Sequence, residues 1–227
     1  MHSRFSKLFA LVLLPFFCLF AQDPTQNEIV LDSSFTISIS PKLPKYAVHI
    51  VEVQRTLKSE DEYSINISLL NNQDRSLNQS INSSWTSYRI DMQSSQETSF
   101  EFVDLNFDGF LDLLVSQGES VDGLKVDNVF WLFDPNTRQF QSNLQMSDHF
   151  KDRFSCSSLD KELTTGGRTG CVGKCYEFEH YRWNGSVLIL FSKESQEQTE
   201  DGTGFVHEKS RLINGEIKVI EHEIIKD

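Results

Sequence analysis

Residues 104–112 read DLNFDGFLD, so a carboxylate or amide side chain occurs at alternate positions of a short loop. This spacing constrains the local fold strongly, because one Ca²⁺ ion gathers about six to eight oxygen ligands from loops of this kind. Gly109 allows the sharp turn, since glycine adopts a positive φ without a steric penalty. A complete EF-hand has a bidentate glutamate at its twelfth position, where this chain has Val115. The motif therefore predicts a calcium loop outside the EF-hand class.

The sequences on both sides of this loop are typical of β-strands. Residues 100–103 and 111–115 are rich in apolar side chains and show no helical period. We therefore expect the loop to connect two strands, as in the FG-GAP-like loops of propeller blades, and to hold the turn rigid. The predicted ligands are the side chains of Asp104, Asn106, Asp108 and Asp112 and the carbonyl oxygen of Phe110. The alternative is a polar surface turn that binds no metal.

Residues 1–21 have the pattern of a secretory signal. Arg4 and Lys7 precede a short apolar run over 8–20, and a small residue lies before the predicted cleavage site. The run is shorter than the roughly 20 apolar residues that span a bilayer. Large phenylalanines precede Cys18, which argues against a lipoprotein signal. We therefore expect a periplasmic or secreted protein without a membrane span.

The charge of the chain restricts its partners. It has 33 acidic and 21 basic residues, with a net charge of −12. This balance argues against binding to nucleic acid or to an anionic membrane, because both need clustered lysine and arginine. An acidic surface instead attracts cationic proteins and accelerates their association. The alternative is that the charge serves solubility alone.

Alternating polar and apolar residues predict an all-β protein of short antiparallel strands, in a sandwich or a propeller-like arrangement with the calcium loop. The predicted strands of the first half are 35–39, 46–53, 63–69 and 87–92. We expect residues 28–97 to form an N-terminal scaffold and 98–225 to form a domain with the calcium loop. The calcium motif occurs once, so an array of blades with one site each is not expected.

The second half has strong hairpin signals. Residues 128–134 and 139–145 are predicted to be strands that flank a turn at 135–138. Two Asn-Gly pairs, at Asn184 and Asn214, each lie within apolar alternation. Asn-Gly accepts a positive φ at both turn positions, so each pair predicts a hairpin.

Residues 164–176, TTGGRTGCVGKCY, contain four glycines. Such a density weakens a strand, so we expect an exposed loop that turns sharply or approaches a partner closely. Cys171 and Cys175 are favoured as a disulfide because they are close in sequence, although Cys156 allows two other pairings. Zinc binding by these cysteines is not expected, because a second pair of suitable ligands is missing.

Four sequence features occur in an order that resembles a known family. They are the calcium motif, NVFWLFDP at 128–135, the glycine- and cysteine-rich segment, and YEFEHYRWNG at 176–185. The resemblance is to bacterial periplasmic proteins that inhibit lysozyme-like effectors delivered by type IV secretion. These proteins are related in fold to periplasmic inhibitors of invertebrate-type lysozyme. The resemblance covers roughly residues 98–192 and implies an all-β inhibitor or immunity protein against a peptidoglycan hydrolase.

The resemblance also implies an inhibitory loop that enters the cleft of the hydrolase. The family carries a Ser-Gly-x-x-Tyr-like element, and the nearest match is Val-Gly-Lys-Cys-Tyr at 172–176, in which Val172 replaces the serine. The loop residues implied are Arg168, Thr169, Gly173, Lys174 and Tyr176. The alternative for Tyr176 is a strand residue with its ring against the core.

Catalytic motifs are missing from the sequence. Ser158 and Lys161 match Ser-x-x-Lys, but the partner motifs of that chemistry do not follow. The sequence has no Gly-x-Ser-x-Gly elbow and no His-Glu-x-x-His motif. We therefore expect a protein that is not an enzyme. The alternative to an inhibitor is a calcium-stabilised exported binding or adhesion module.

Overall fold

The computed structural model describes residues 27–56, 60–88, 99–119, 126–150 and 153–226, which form three antiparallel sheets. The predicted signal at 1–21 lies outside these residues. The first sheet has the strand order β1-β2-β3-β4. Its strands are β1 Asn27–Ile37, β2 Tyr46–Thr56, β3 Glu60–Asn71 and β4 Leu77–Tyr88.

The second sheet is formed by the middle of the chain and has the order β5-β6-β7-β8. Its strands are β5 Ser99–Val103, β6 Asp112–Glu119, β7 Val126–Asp134 and β8 Gln139–Ser142. A short helix, α1 Leu144–His149, follows β8. Its N-cap is Asn143, whose side chain accepts a hydrogen bond from the Met146 backbone N–H. The predicted strand over 139–145 was therefore wrong beyond Ser142, because this cap starts a helix.

The third sheet has six strands in the order β14-β13-β12-β11-β10-β9. Its strands are β9 Ser155–Ser157, β10 Glu162–Gly170, β11 Cys175–Asn184, β12 Val187–Gln198, β13 Gly204–Ile213 and β14 Glu216–Lys226. A single 3-10 turn at Cys171–Gly173 connects β10 to β11. Among the described residues, no helix is long and apolar enough to cross a membrane.

The second sheet lies between the other two and is covered on both faces. Leu113, Leu114 and Val115 are consecutive in β6 and all buried. Because successive strand residues face opposite sides of a sheet, this run requires a core on each side. Leu113 and Val115 pack in one core with residues of the first sheet, and Leu114 packs in another with α1 and the third sheet. The structure confirms the predicted all-β sandwich.

The two predicted Asn-Gly hairpins are confirmed, but they turn differently. Asn214 and Gly215 both have positive φ, +54° and +84°, as the sequence predicted. In the other hairpin Asn184 still pairs with Val187, and the two-residue turn is formed by Gly185 and Ser186. Only Gly185 has a positive φ there, +63°, so this turn begins one residue later than expected.

The prediction of a loop over 164–176 was wrong for its first seven residues and for its last two, because β11 begins at Cys175. Residues 164–170 belong to β10, which pairs with β11 along this stretch. The strand tolerates these glycines because it is paired with β11, and because neighbouring atoms approach its backbone too closely for larger residues. A Cβ on Gly166 would lie 2.1 Å from the carbonyl oxygen of Glu177, and one on Gly167 would lie 1.8 Å from the Arg153 guanidinium. Of the strand predicted over 87–92, residues 87 and 88 belong to β4, and residues 89–92 lie outside the described residues.

We predict that Gly166→Ala lowers the free energy of unfolding by more than about 2 kcal/mol, because it adds a clash to a backbone at φ +106°. The matched control is Gly185→Ala, where φ is +63° and no atom lies within 4 Å of the new Cβ. We expect about 1 kcal/mol for the control, from the backbone alone. Urea unfolding of both variants checks the difference, and equal losses would contradict it.

Candidate functional site

The predicted calcium loop connects β5 to β6, as expected. Asp104 accepts hydrogen bonds from the backbone N–H groups of Asp108 (3.1 Å) and Gly109 (2.9 Å). Asn106 Oδ1 accepts from Asp108 N (3.1 Å), and Asp108 Oδ1 accepts from Phe110 N (2.9 Å). Gly109 has a φ of +87°, which confirms the sharp turn. The side-chain oxygens of the loop therefore bind its own backbone N–H groups and hold the turn closed.

Asp112, the last residue of the motif, has a different environment. It is fully buried, and its Oδ2 accepts hydrogen bonds from Leu105 N (2.8 Å) and Asn106 N (3.3 Å). Its Oδ1 accepts from Phe133 N of β7 at 2.8 Å. Burial raises the pKa of Asp112 to about 7, although hydrogen bonds from Phe133 and Leu105 oppose this shift. Asp112 therefore fixes the start of the loop to the neighbouring strand.

The loop fits a calcium ion in part. Asp104, Asn106 and Asp108 keep oxygen lone pairs beyond those used by the loop, since a carboxylate accepts about four hydrogen bonds and an amide oxygen about two. Among the described residues, the Asp104, Asp108 and Asp112 carboxylates do not form a group whose ligand atoms all lie within 4.8 Å. Both oxygens of Asp112 are held by backbone N–H groups. The calcium site and the role of Phe110 as a carbonyl ligand remain predictions.

The same loop joins the three sheets. Leu105 is buried in the core with the third sheet, and its carbonyl oxygen accepts a hydrogen bond from Trp183 Nε1 of β11 at 2.9 Å. Leu111 N donates to the carbonyl oxygen of Ile39, which follows β1, at 2.9 Å. Phe110 packs against Phe133 of β7, with ring centroids 5.7 Å apart. The loop therefore contacts all three sheets, so a substitution in it affects the packing between them.

The second candidate site is the tip of the β10–β11 hairpin, residues 170–174, which we call the hairpin tip. A disulfide joins Cys171 to Cys175, as predicted, and Cys156 is a free thiol. Four consecutive residues, 170–173, have positive φ. A positive φ is unfavourable for a β-branched residue such as Val172, so the disulfide ring holds an unusual conformation. Burial raises the pKa of Cys156 to about 11, which keeps its thiol protonated.

The hairpin tip presents an exposed apolar side chain, and exposed basic residues are close to it in sequence. Val172 is completely exposed, at 104% of its reference area. Arg168, Thr169 and Lys174 are exposed beside it. The Lys174 ammonium lies 5.1 Å from the centroid of the Phe205 ring, on β13. The predicted loop residues therefore lie at or next to the hairpin tip. Val172, the most exposed side chain there, was not among them.

Tyr176 is half-buried at the start of β11, directly opposite Arg168 of β10. Its hydroxyl donates a hydrogen bond to Glu194 Oε1 at 3.1 Å, and its ring lies 5.5 Å from that of Phe178. Burial raises the pKa of Tyr176, and the Glu194 carboxylate raises it further. In this structure the hydroxyl is therefore bound within the sheet.

Glu194 was missed by the sequence analysis. It lies on β12 and also accepts a hydrogen bond from His207 Nε2 of β13 at 3.2 Å. Burial opposes ionisation of this carboxyl, but the bonds from His207 and Tyr176 outweigh it and hold the pKa of Glu194 below its usual value. No local motif marks Glu194 or His207, because only strand pairing brings them beside Tyr176.

Comparisons with known proteins identify a similar fold. No protein-family model matches the chain, and no curated protein matches it at a significant level. A solved structure of a Xanthomonas type IV secretion system related protein is similar, with a TM-score of 0.54 and 17% sequence identity. The match covers 84% of this chain and 99% of that chain. At this identity the likeness shows a shared fold.

We predict that Asp112→Asn lowers the free energy of unfolding by about 2–4 kcal/mol without calcium, because the new amide places N–H groups against buried backbone N–H donors. Asp108→Asn, on the exposed part of the loop, should cost less than about 1 kcal/mol under the same conditions. Urea unfolding in EDTA measures both. Equal losses would show that burial of Asp112 has no special role.

We predict that calcium raises the melting temperature of the wild-type chain, because an ion bound only by the folded state stabilises it. Asp108→Ala should lose most of this increase. Asp74→Ala, which removes a carboxylate with similar hydrogen bonds in the β3–β4 turn, should keep it. Thermal melting with and without Ca²⁺ checks this. Equal melting temperatures of the wild-type chain under the two conditions would contradict the predicted calcium site.

Proposed function

We propose that this chain is an exported inhibitor or immunity protein that blocks a lysozyme-like peptidoglycan hydrolase by inserting the hairpin tip into its active-site cleft. The observation that carries this proposal is the disulfide-closed tip with a fully exposed Val172. A rigid protruding tip suits a narrow cleft, because little conformational entropy is lost when it binds. The chain needs no catalytic group of its own for this function.

The side chains at the tip match the chemistry of a glycosidase cleft. Such a cleft places two carboxyl groups across the scissile bond. Arg168 can pair with a carboxylate through two N–H groups, and Lys174 supplies a second positive charge nearby. Val172 provides an apolar contact surface at the same hairpin tip. Two basic side chains, Arg168 and Lys174, therefore lie at or next to the hairpin tip on a chain whose net charge is −12.

This distribution of charge gives the acidic body and the basic side chains different roles in binding a hydrolase. The acidic body attracts a basic hydrolase over distances near the Debye length of about 8 Å. Arg168 and Lys174 then meet the acidic catalytic groups at short range. We assign Tyr176 a supporting role, because its hydroxyl is bonded to Glu194 beneath the tip. Gly173, with a φ of +82°, lets the chain return towards β11.

Two further observations support the cellular setting of the proposal. The disulfide fits an oxidising compartment such as the periplasm, as does the signal predicted for residues 1–21. The fold resembles that of a Xanthomonas type IV secretion system related protein. We therefore propose that the target is a hydrolase delivered through such a system and that this chain protects the periplasm from it.

We predict that Val172→Ala weakens inhibition at least about fivefold, because truncating a buried anchor at the centre of an interface costs more than about 1 kcal/mol. The matched control is Val187→Ala, which changes another exposed valine, at the start of β12. The control should inhibit like the wild-type chain. Clearing of peptidoglycan by a panel of lysozymes and lysozyme-like effectors provides the measurement.

The outcomes separate the two candidate functions. Equal inhibition by both variants would show that Val172 at the hairpin tip does not contribute to the contact with the hydrolase. If the wild-type chain binds the hydrolases without slowing them, the proposal fails and a calcium-stabilised binding module becomes the better description. Thermal melting of each variant verifies that the fold is retained.

A further inference from the structure

We propose that His207, Glu221 and Glu223 form a binding site for a divalent transition-metal ion of the zinc class on the third sheet. His207 lies on β13, and the two glutamates lie two residues apart on β14. Their ligand atoms, one from each residue, all lie within 4.8 Å of one another. This site is separate from the predicted calcium loop and from the hairpin tip.

Strand pairing places these ligands on one face of the sheet. His207 is directly opposite Glu223, and Lys209 is directly opposite Glu221. Residues two apart in a strand face the same side, so both carboxylates stand beside the imidazole. Tetrahedral zinc with bonds of about 2.0–2.2 Å to nitrogen and oxygen puts two ligand atoms about 3.3–3.6 Å apart. The exposed glutamates can rotate enough to close the remaining distance.

Glu194 orients the imidazole for metal binding. His207 Nε2 lies 3.2 Å from Glu194 Oε1, and Nδ1 faces Glu221 Oε1 at 3.7 Å. An ionised Glu194 holds the proton on Nε2, which leaves the Nδ1 lone pair directed towards the two glutamates. Metal-binding histidines commonly have a carboxylate on the opposite ring nitrogen, because it fixes the tautomer and raises the basicity of the ligand. His207 is also buried, so its orientation is constrained.

The local charge favours a divalent cation. Glu194, Glu221 and Glu223 surround a histidine that is neutral in its metal-binding form, and Lys209 Nζ lies 3.7 Å from Glu221 Oε2. Three ionised carboxylates and one ammonium give the cluster a net negative charge, which a bound divalent ion would neutralise. An imidazole nitrogen among the ligands selects zinc-class metals over calcium, which takes oxygen ligands. Three protein ligands leave a further position for water.

The test is titration of the metal-free, disulfide-intact chain with Zn²⁺ by isothermal titration calorimetry. We expect one saturable site in the wild-type chain and at least about tenfold weaker binding in Glu223→Gln and in Glu221→Gln. The matched control is Glu197→Gln, which removes an exposed carboxylate from β12 of the same sheet. Its affinity should equal that of the wild-type chain. Circular dichroism in EDTA verifies that each variant is folded.

Three results would overturn the proposal. Absence of saturable binding by the wild-type chain would remove the site. A loss of Zn²⁺ affinity in Glu197→Gln as large as that in Glu223→Gln would show that the ion binds through the overall negative charge of the sheet. Loss of binding in Cys156→Ser would assign the ion to the free thiol. Binding that survives Asp108→Ala, in contrast, would separate this site from the calcium loop and support it.

Discussion

The buried carboxylate of Asp112 is the interaction on which the arrangement of the layers depends. It binds backbone N–H groups of the loop at Leu105 and Asn106 and of β7 at Phe133, so the loop cannot move independently of the central sheet. Through Leu105 the loop then reaches Trp183 of the third sheet. A calcium ion at the outer side of this loop would strengthen a junction that the protein already forms with its own atoms.

The sequence predicted the strands best where one face of a sheet is exposed. Alternation identified β2 and β3, and Asn-Gly pairs identified the hairpins around Asn184 and Asn214. It failed at residues 164–170, because the glycines there serve close contacts between Gly166 and β11 that a single sequence does not display. The sequence analysis also missed the proposed site at His207. The hairpin around Asn214 was predicted, but the register that places Glu223 opposite His207 includes a shift between Lys209 and Ser210 that the sequence does not display.

Both proposed sites use the six-stranded sheet as a rigid support. The hairpin tip lies at the end of β10 and β11, and the proposed metal site lies on β13 and β14. Glu194 of β12 lies between them and accepts hydrogen bonds from both Tyr176 and His207. The hydroxyl beneath the tip and the imidazole of the metal site therefore share one carboxylate, which gives the two sites a physical connection.

The most direct test of the account compares inhibition of a lysozyme-like hydrolase by the oxidised chain and by the Cys171→Ser/Cys175→Ser double variant. We expect the oxidised chain to abolish peptidoglycan clearing at equimolar amounts for a susceptible hydrolase. The double variant should remain folded and inhibit at least about tenfold less, because its tip is no longer constrained before binding. Equal inhibition by the two proteins would contradict the claim that a disulfide-closed tip enters the cleft.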